Sequence, residues 1–305
     1  MTQQPVTTPF TARTTATEIL DGIDLEGRRV LVTGGGSGLG VETVRALAGA
    51  GADVTAAVRR RPDVAIDGVR YLDLDLADLA SVHRLARDWE GPLHAFVANA
   101  GVMAVPERRL TPEGWELHLA TNFLGHFALA SGLHARLAEA GGARVVVVSS
   151  GAHRGSPVDL DDLHFDRRPY DPWTAYGQSK SADVLLAVGA TRWWADDGIV
   201  ANALNPGYIL TALQRHVDDD TMRAFGAMDE AGNVIEPDYY KSPAQGAATA
   251  VLLAASPLVE GVGGRYFEDN QEAAVTVAGD HGVASHAVDP ETAERLWQVA
   301  VRSVR

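Results

Sequence analysis

Cysteine is absent from the 305-residue chain, and lysine occurs only twice, at Lys180 and Lys241. Without cysteine there can be no disulfide, no thiol nucleophile and no cysteine-ligated zinc or iron–sulfur site. A reducing compartment fits that composition, and the chain reads as cytoplasmic. Positive charge is also scarce: 26 Lys and Arg face 40 Asp and Glu, a net charge of -14. Nucleic acid and anionic membrane are polyanions, so neither is expected as a partner. No apolar run approaches the ~20 residues a membrane helix needs. The N-terminus lacks a basic segment followed by an apolar core, so no signal peptide is read. His281 and His286 are too loosely spaced for a metal site. Asp159, Asp161 and Asp162 do not match a calcium loop and read as solvated. No metal is expected.

What is present alternates. Apolar strand runs at 29–33, 53–58, 69–74, 93–98, 144–148, 200–204 and 264–267 are separated by helical patterns. Strand–helix alternation predicts one α/β domain over 28–305, a Rossmann-like doubly wound parallel sheet of about seven strands. Residues 1–27 read as a leader rich in Thr and Pro, its first part mobile or draped on the surface, with a capping box at Thr15–Glu18. A long helical pattern spans about 111–139 and carries Asn122, which needs either a surface face or a polar partner there. The segment 208–242 loses all regularity and holds Tyr, Phe and Met, as a lid over an apolar pocket or a packed surface excursion would.

The first strand runs into Thr33-Gly-Gly-Gly-Ser-Gly-Leu-Gly40 and then straight into a helix. Glycines there let backbone N–H groups approach a pyrophosphate, and the helix N-terminus favours its charge. Gly34, Ser37, Gly38, Leu39 and Gly40 are therefore candidates for dinucleotide binding. The second strand ends in Val58-Arg59 with no acid in place. An acid at that position would accept from the ribose of NAD, whereas an arginine welcomes the 2′-phosphate of NADP. NADP(H) is the favoured cofactor and NAD(H) the alternative. Asp75 and Leu76 stand where an adenine could be held, and Asn99-Ala100-Gly101 close the fourth strand at the sheet edge where ligands bind.

Tyr176 and Lys180 lie one turn apart on a predicted helix, so their side chains can share a point. A phenol titrates near pH ~10, and a cation beside it favours the phenolate, which acid–base catalysis at neutral pH requires. In a chain that uses arginine nearly everywhere else, a lysine at this spot is informative.

Together these motifs resemble the short-chain dehydrogenase/reductase family over about 25–267. The matching residues are Thr33-Gly-x-x-x-Gly-x-Gly40, Asp75, Asn99-Ala-Gly101, Asn122, Ser150, Tyr176-x-x-x-Lys180 and Pro206-Gly207. The glycine spacing is that of the simple branch. Ser149-Ser-Gly-Ala-His153, the Val58-Arg59 strand end and the long segment after Pro206 are similar to the retinol dehydrogenase and WW-domain oxidoreductase group. The resemblance implies a catalytic set of Asn122, Ser150, Tyr176 and Lys180. Tyr176 would exchange the proton of the substrate oxygen, Lys180 would tune it and hold the nicotinamide ribose, and Ser150 would orient the reacting oxygen. Asn122 would hold a water linked to Lys180, and Asn99 would brace the sheet. Pro206 and Gly207 would contact the carboxamide, and Thr211 would reach the pyrophosphate. The expected activity is hydride transfer between NADP(H) and a carbonyl or secondary alcohol of a hydrophobic or mid-sized substrate. Reduction of an activated C=C bond and a non-catalytic NADP(H) sensor are the alternatives. A homodimer or homotetramer through the Asn122 and Tyr176 helices is a further expectation.

Overall fold

The computed structural model describes residues 4–277, 279 and 281–305. Its frame is an eight-stranded sheet: β1 Arg29–Thr33, β2 Asp53–Val58, β3 Arg70–Asp73, β4 Ala95–Ala98, β5 Arg144–Val148, β6 Val200–Asn205, β7 Tyr266–Glu268 and β8 Gln271–Glu272. The order is β3-β2-β1-β4-β5-β6-β7-β8, parallel throughout except for β8, which runs antiparallel to β7. That short last strand is the one addition to the expected sheet. Two residues after a turn through Asp269 and Asn270, both at positive φ, leave no periodicity to read.

The strands are buried on both faces, which explains their apolar runs. Leu31, Phe96, Val145 and Val147 face one layer, built from α3 Leu79–Asp88, α4 Gly125–Gly132, α5 His134–Glu139, α6 Pro172–Trp193 and α8 Pro290–Ser303. Their neighbours Val30, Val32, Val97, Val146 and Val148 face the other, made of α1 Ala16–Ile19, α2 Gly38–Gly49 and α7 Ala248–Ala255. The order of strands reverses between β1 and β4, and a cleft opens at their C-terminal ends.

Two sequence expectations change. The helical pattern at 111–139 is not one helix: Leu110 and Glu116 form an isolated bridge, Leu119–Leu124 is a π-type turn, and α4 and α5 break apart at Leu133. The π-type turn carries Asn122, whose polar partner is described below. Asp162 is not solvated; it is buried and its carboxylate accepts from the backbone N–H groups of Asp166, Arg167 and Arg168. It shapes the loop before α6.

The leader is draped. Val6 pairs with Glu272, Thr8 with Asn270 and Gln271, and the Arg13 guanidinium donates to the Tyr240 carbonyl at 2.7 Å. Residues 1–3 lie outside the described residues. No helix among those described is long and apolar enough to cross a membrane.

Candidate active site

β1 ends at Thr33, and the chain turns through Gly34 at φ +69° and Gly38 at φ +54° into α2. Thr33 knits this turn to β4. Its hydroxyl oxygen accepts from the N–H groups of Asn99 and Ala100, and its carbonyl accepts from the Asn99 side chain at 2.8 Å. With two donors already on its oxygen, the Thr33 O–H is left for His126 Nε2, 2.8 Å away. His126 then carries its proton on Nδ1, 2.7 Å from the Asn122 carbonyl. Burial holds this imidazole neutral, its pKa lowered to about 4.

The turn is a close-packed cradle. A methyl group at Gly40 would stand 2.2 Å from the Gly34 carbonyl oxygen, so the backbone there tolerates no side chain. Ser37 caps α2 without bonding any N–H by its side chain, which leaves the helix N-terminus open to the cleft. Gly34, Ser37, Gly38, Leu39, Arg59, Asp75, Leu76, Asn99, Ala100, Gly101, Pro206, Gly207 and Thr211 all line one cavity of about 1330 Å³. Gly40 lies beneath it. Asp75 spends one carboxylate oxygen on the Ala77 N–H at 2.9 Å.

The other half of the cavity holds Ser150, Tyr176 and Lys180. α6 starts cleanly because Asp171 caps it, accepting from Thr174 N–H at 2.7 Å, and Pro172 fits the first turn. Tyr176 is buried against Trp173 and His118, with ring centres 6.2 Å from each. The two serines separate by their partners. Ser149 Oγ donates to the Lys180 carbonyl at 2.7 Å, whereas Ser150 Oγ accepts from Ala152 N–H and keeps its own proton for a ligand.

Lys180 Nζ donates to the Val148 carbonyl and to Asp183 Oδ2, both at 2.8 Å, and sits 5.9 Å from the centre of the Tyr176 ring. Burial opposes its charge, but attraction to Asp183 and Tyr176 and the bond to Asp183 outweigh it, and the ammonium titrates above its ordinary value. Asn122 finds its polar partners inside: Oδ1 accepts from Val102 N–H, and Nδ2 donates to the Val102 carbonyl and Ser179 Oγ. Its amide holds the strand-end loop, both N–H donors and one acceptor position of Oδ1 being taken. Gly207, at φ +92°, packs against Lys241, whose ammonium pairs with Asp269 at 2.6 Å. The second lysine thus props the Pro206-Gly207 turn.

The segment 208–242 does two things at once. Met222, Ala227 and Tyr240 form a small core of its own, while Tyr208, Leu213, Met222, Phe225 and Tyr240 wall the cavity. Phe225 meets Trp173 edge-on at 5.9 Å, closing an apolar end completed by Met103, Val105 and Leu117. Two groups are missing from the motif reading. Asp183 lies three residues past Lys180 in a run of otherwise apolar helix, a signal that charge in a buried stretch could have raised. Arg215, from the loop segment, lines the same cavity, its guanidinium titration lowered by burial and by the charge of Arg59. No cluster of potential metal ligands occurs among the described residues.

A parallel sheet with a glycine cradle at its switch point, facing a Ser, a Tyr and a Lys across one cavity, defines a dinucleotide-dependent oxidoreductase. The chain belongs to the short-chain dehydrogenase family, whose model ("short chain dehydrogenase") matches residues 28–222. It is 65% identical over 289 residues to a "Probable oxidoreductase" of Streptomyces lividans, an alignment covering 90% of this chain and 97% of that one. It is 31% identical over 303 residues to human retinol dehydrogenase 14, covering 90% and 86% respectively. Among solved structures, the Pseudomonas aeruginosa RhlG/NADP active-site complex aligns with a TM-score of 0.60 at 25% identity, over 81% of this chain and 96% of that one. The protein is an enzyme acting on CH–OH or C=O groups.

Proposed function

We propose that the enzyme is an NADP(H)-dependent carbonyl reductase or alcohol dehydrogenase acting on a hydrophobic or mid-sized substrate. One observation carries the cofactor preference. Arg59 and Arg215 bring their charges together at the β2 side of the cavity, and neither has an acidic partner among the described residues. Two guanidinium groups without a protein counter-ion at one rim of a cavity suit a ligand that carries negative charge there. Arg60 and Arg61 line the same side, with Asp63 and Asp75 the acids lining the cavity, in a chain whose net charge is -14. The RhlG complex, with NADP bound, agrees with this reading.

The residues fit a dinucleotide. The Gly34–Gly40 turn offers bare backbone to a pyrophosphate, with the Thr211 side chain 3.6 Å from where a Cβ on Gly38 would be. Bound there, the nicotinamide supplies or accepts hydride. Tyr176 then donates its hydroxyl proton to the carbonyl oxygen, or takes it from the alcohol in reverse. Ser150 directs its O–H at the same oxygen and fixes its position. Lys180 supplies the positive charge that favours the phenolate, and Asn122 anchors the Val102 backbone beneath the site. The apolar walls at Trp173 and Phe225 select the hydrophobic body of the substrate.

Fluorescence titration with NADPH and NADH, on the wild type and on Arg59→Asp, tests the cofactor. NADPH should bind at least about tenfold tighter, and the mutant should lose that preference. Equal or tighter NADH binding would make Arg59 a surface residue and reverse the assignment. Tyr176→Phe should lower turnover by about 10²-fold or more while leaving NADPH binding intact. Full turnover in that variant would end the catalytic reading.

A further inference from the structure

Asp183 stands behind the reacting pair, on the side of Lys180 away from Tyr176's position in the chain, and its carboxylate is among the most enclosed charged groups in the molecule. Its side chain is 1% exposed and that of Lys180 6%. One oxygen accepts from Lys180 Nζ at 2.8 Å; the other, Oδ1, is buried with no hydrogen-bond partner. An unpartnered buried carboxylate oxygen is costly, and a fold tolerates it where the group has work to do. An ammonium has three N–H donors, and Val148 and Asp183 take two, leaving one toward the cavity.

We propose that Asp183 is a positioning residue of the active site: from behind Lys180 it holds the ammonium in place and offsets its charge, and so sets the pH at which Tyr176 exchanges its proton. This rests on the catalytic reading of Tyr176 and Lys180 given above. A lone cation beside a phenol stabilises the phenolate strongly; the same cation paired with an anion does so less. With Asp183 ionised, Tyr176 keeps its proton to higher pH. With Asp183 protonated, the full charge of Lys180 acts on the phenol.

Among the described residues no other acid pairs with Lys180. Beside Tyr176, from the stretch before the π-type turn, stands His118, its ring centre 6.2 Å away and its Nδ1 2.8 Å from the buried Glu116 carboxylate, a pair that substitution of Asp183 leaves in place. On α6 the titratable neighbours are Lys180 and Tyr176 themselves. From the segment opening α4, His126 faces Lys180 and is neutral, its pKa lowered by burial to about 4. From the turn after β5 comes His153, also lowered by burial to about 4 and neutral, and beyond it His286, which reaches only Ser181 and the His153 carbonyl. From β7, burial pushes the Tyr266 phenol well above its ordinary range, so it too is neutral. α8 turns Ala293, Leu296, Trp297 and Ala300 toward this core. Asp183 is thus the one anion able to balance Lys180 among the described residues. Its own titration falls in the working range, lifted to about 7 because burial outweighs the pull of Lys180.

The test is Asp183→Asn, which keeps an oxygen to accept from Lys180 and removes only the charge. The pH profile of kcat/KM for alcohol oxidation is measured, together with the ultraviolet titration of Tyr176 taken as the difference from Tyr176→Phe. In Asp183→Asn the acid limb and the phenol titration should both move to lower pH by about one unit, a tenfold change in proton affinity. An unmoved limb, or one shifted to higher pH, overturns the proposal. Asp183→Ser, which shrinks the side chain, provides the same reading should the asparagine variant fail to fold. The outcomes separate the two layers of argument: if Tyr176→Phe retains full turnover the catalytic reading fails, whereas an inactive Tyr176→Phe with an unmoved Asp183→Asn profile removes the role of Asp183 alone.

Discussion

At Gly40 the fold and the cofactor cradle meet in a single missing atom. A Cβ there would lie 2.2 Å from the Gly34 carbonyl oxygen, which is backbone of the turn, and 2.7 Å from Asn99 Nδ2, a side-chain end tied to the Thr33 carbonyl. The backbone would have to shift, and overpacking of this kind costs about 1–3 kcal/mol. Gly40→Ala should therefore lower the melting temperature by several degrees and weaken NADPH binding together; unchanged values for both would show that the turn relaxes freely. Single residues of this sort were readable in the chain because their chemistry is local. Gly40 stands in a fixed spacing, and Tyr176 and Lys180 are one helical turn apart. Asp183 shows in the chain only as a charge in an apolar helix; its role was not readable, because it depends on Lys180 being held between its carboxylate and the Val148 carbonyl of β5. The role of Asp162 as a backbone acceptor is likewise invisible until its loop is closed.

Among the elements, α6 carries most of the site, and its start is set by sequence. Asp171 takes both the N–H and the hydroxyl of Thr174 at 2.7 Å, just before Trp173 and Tyr176 enter the cavity wall. Removing a cap costs about 1 kcal/mol. Asp171→Ala should lower stability by that amount in chemical denaturation and raise KM more than it lowers kcat, since the loosened turn carries Trp173 rather than the reacting hydroxyl; a change confined to kcat would contradict it. The strands were legible as apolar runs because both faces of the sheet are covered. The stretch 111–139 was not, since a π-type turn at Leu119–Leu124 and the break at Leu133 keep nearly helical spacing while changing direction. The wide turn is what lets Asn122 point inward to Val102 and Ser179. β8 and the leader that runs along it depend on long-range pairing of two-residue pieces, which no local pattern announces.

For the whole molecule, the doubly wound sheet followed from strand–helix alternation, while the concentration of arginines around a cavity in an acidic protein appeared only once distant loops were brought together. The same assembly fixes how stability responds to pH. His126 and His153 are enclosed as neutral rings, each donating from Nδ1 to a carbonyl, and both are lowered by burial to about 4. In the unfolded chain they titrate near ~6.5. A depressed histidine contributes stability that is complete above the unfolded value and is lost as pH falls toward the folded one. Asp183 acts in the opposite sense. Raised to about 7, it is protonated in the folded state and ionised in the unfolded state across the same window, so its contribution grows as pH falls from 7 toward 4. Two histidines against one carboxyl leave a net loss on acidification, about 2 kcal/mol between pH 6.5 and 5 for each histidine and a similar amount regained through Asp183. The melting temperature should therefore decline gently from pH 7 to 5 in the wild type and more steeply in Asp183→Asn, which removes the opposing group. In His153→Asn the protein should melt lower at pH 7 but lose less on going to pH 5. Parallel curves for all three proteins would show that these buried groups do not govern the acid response and that the surface carboxylates do.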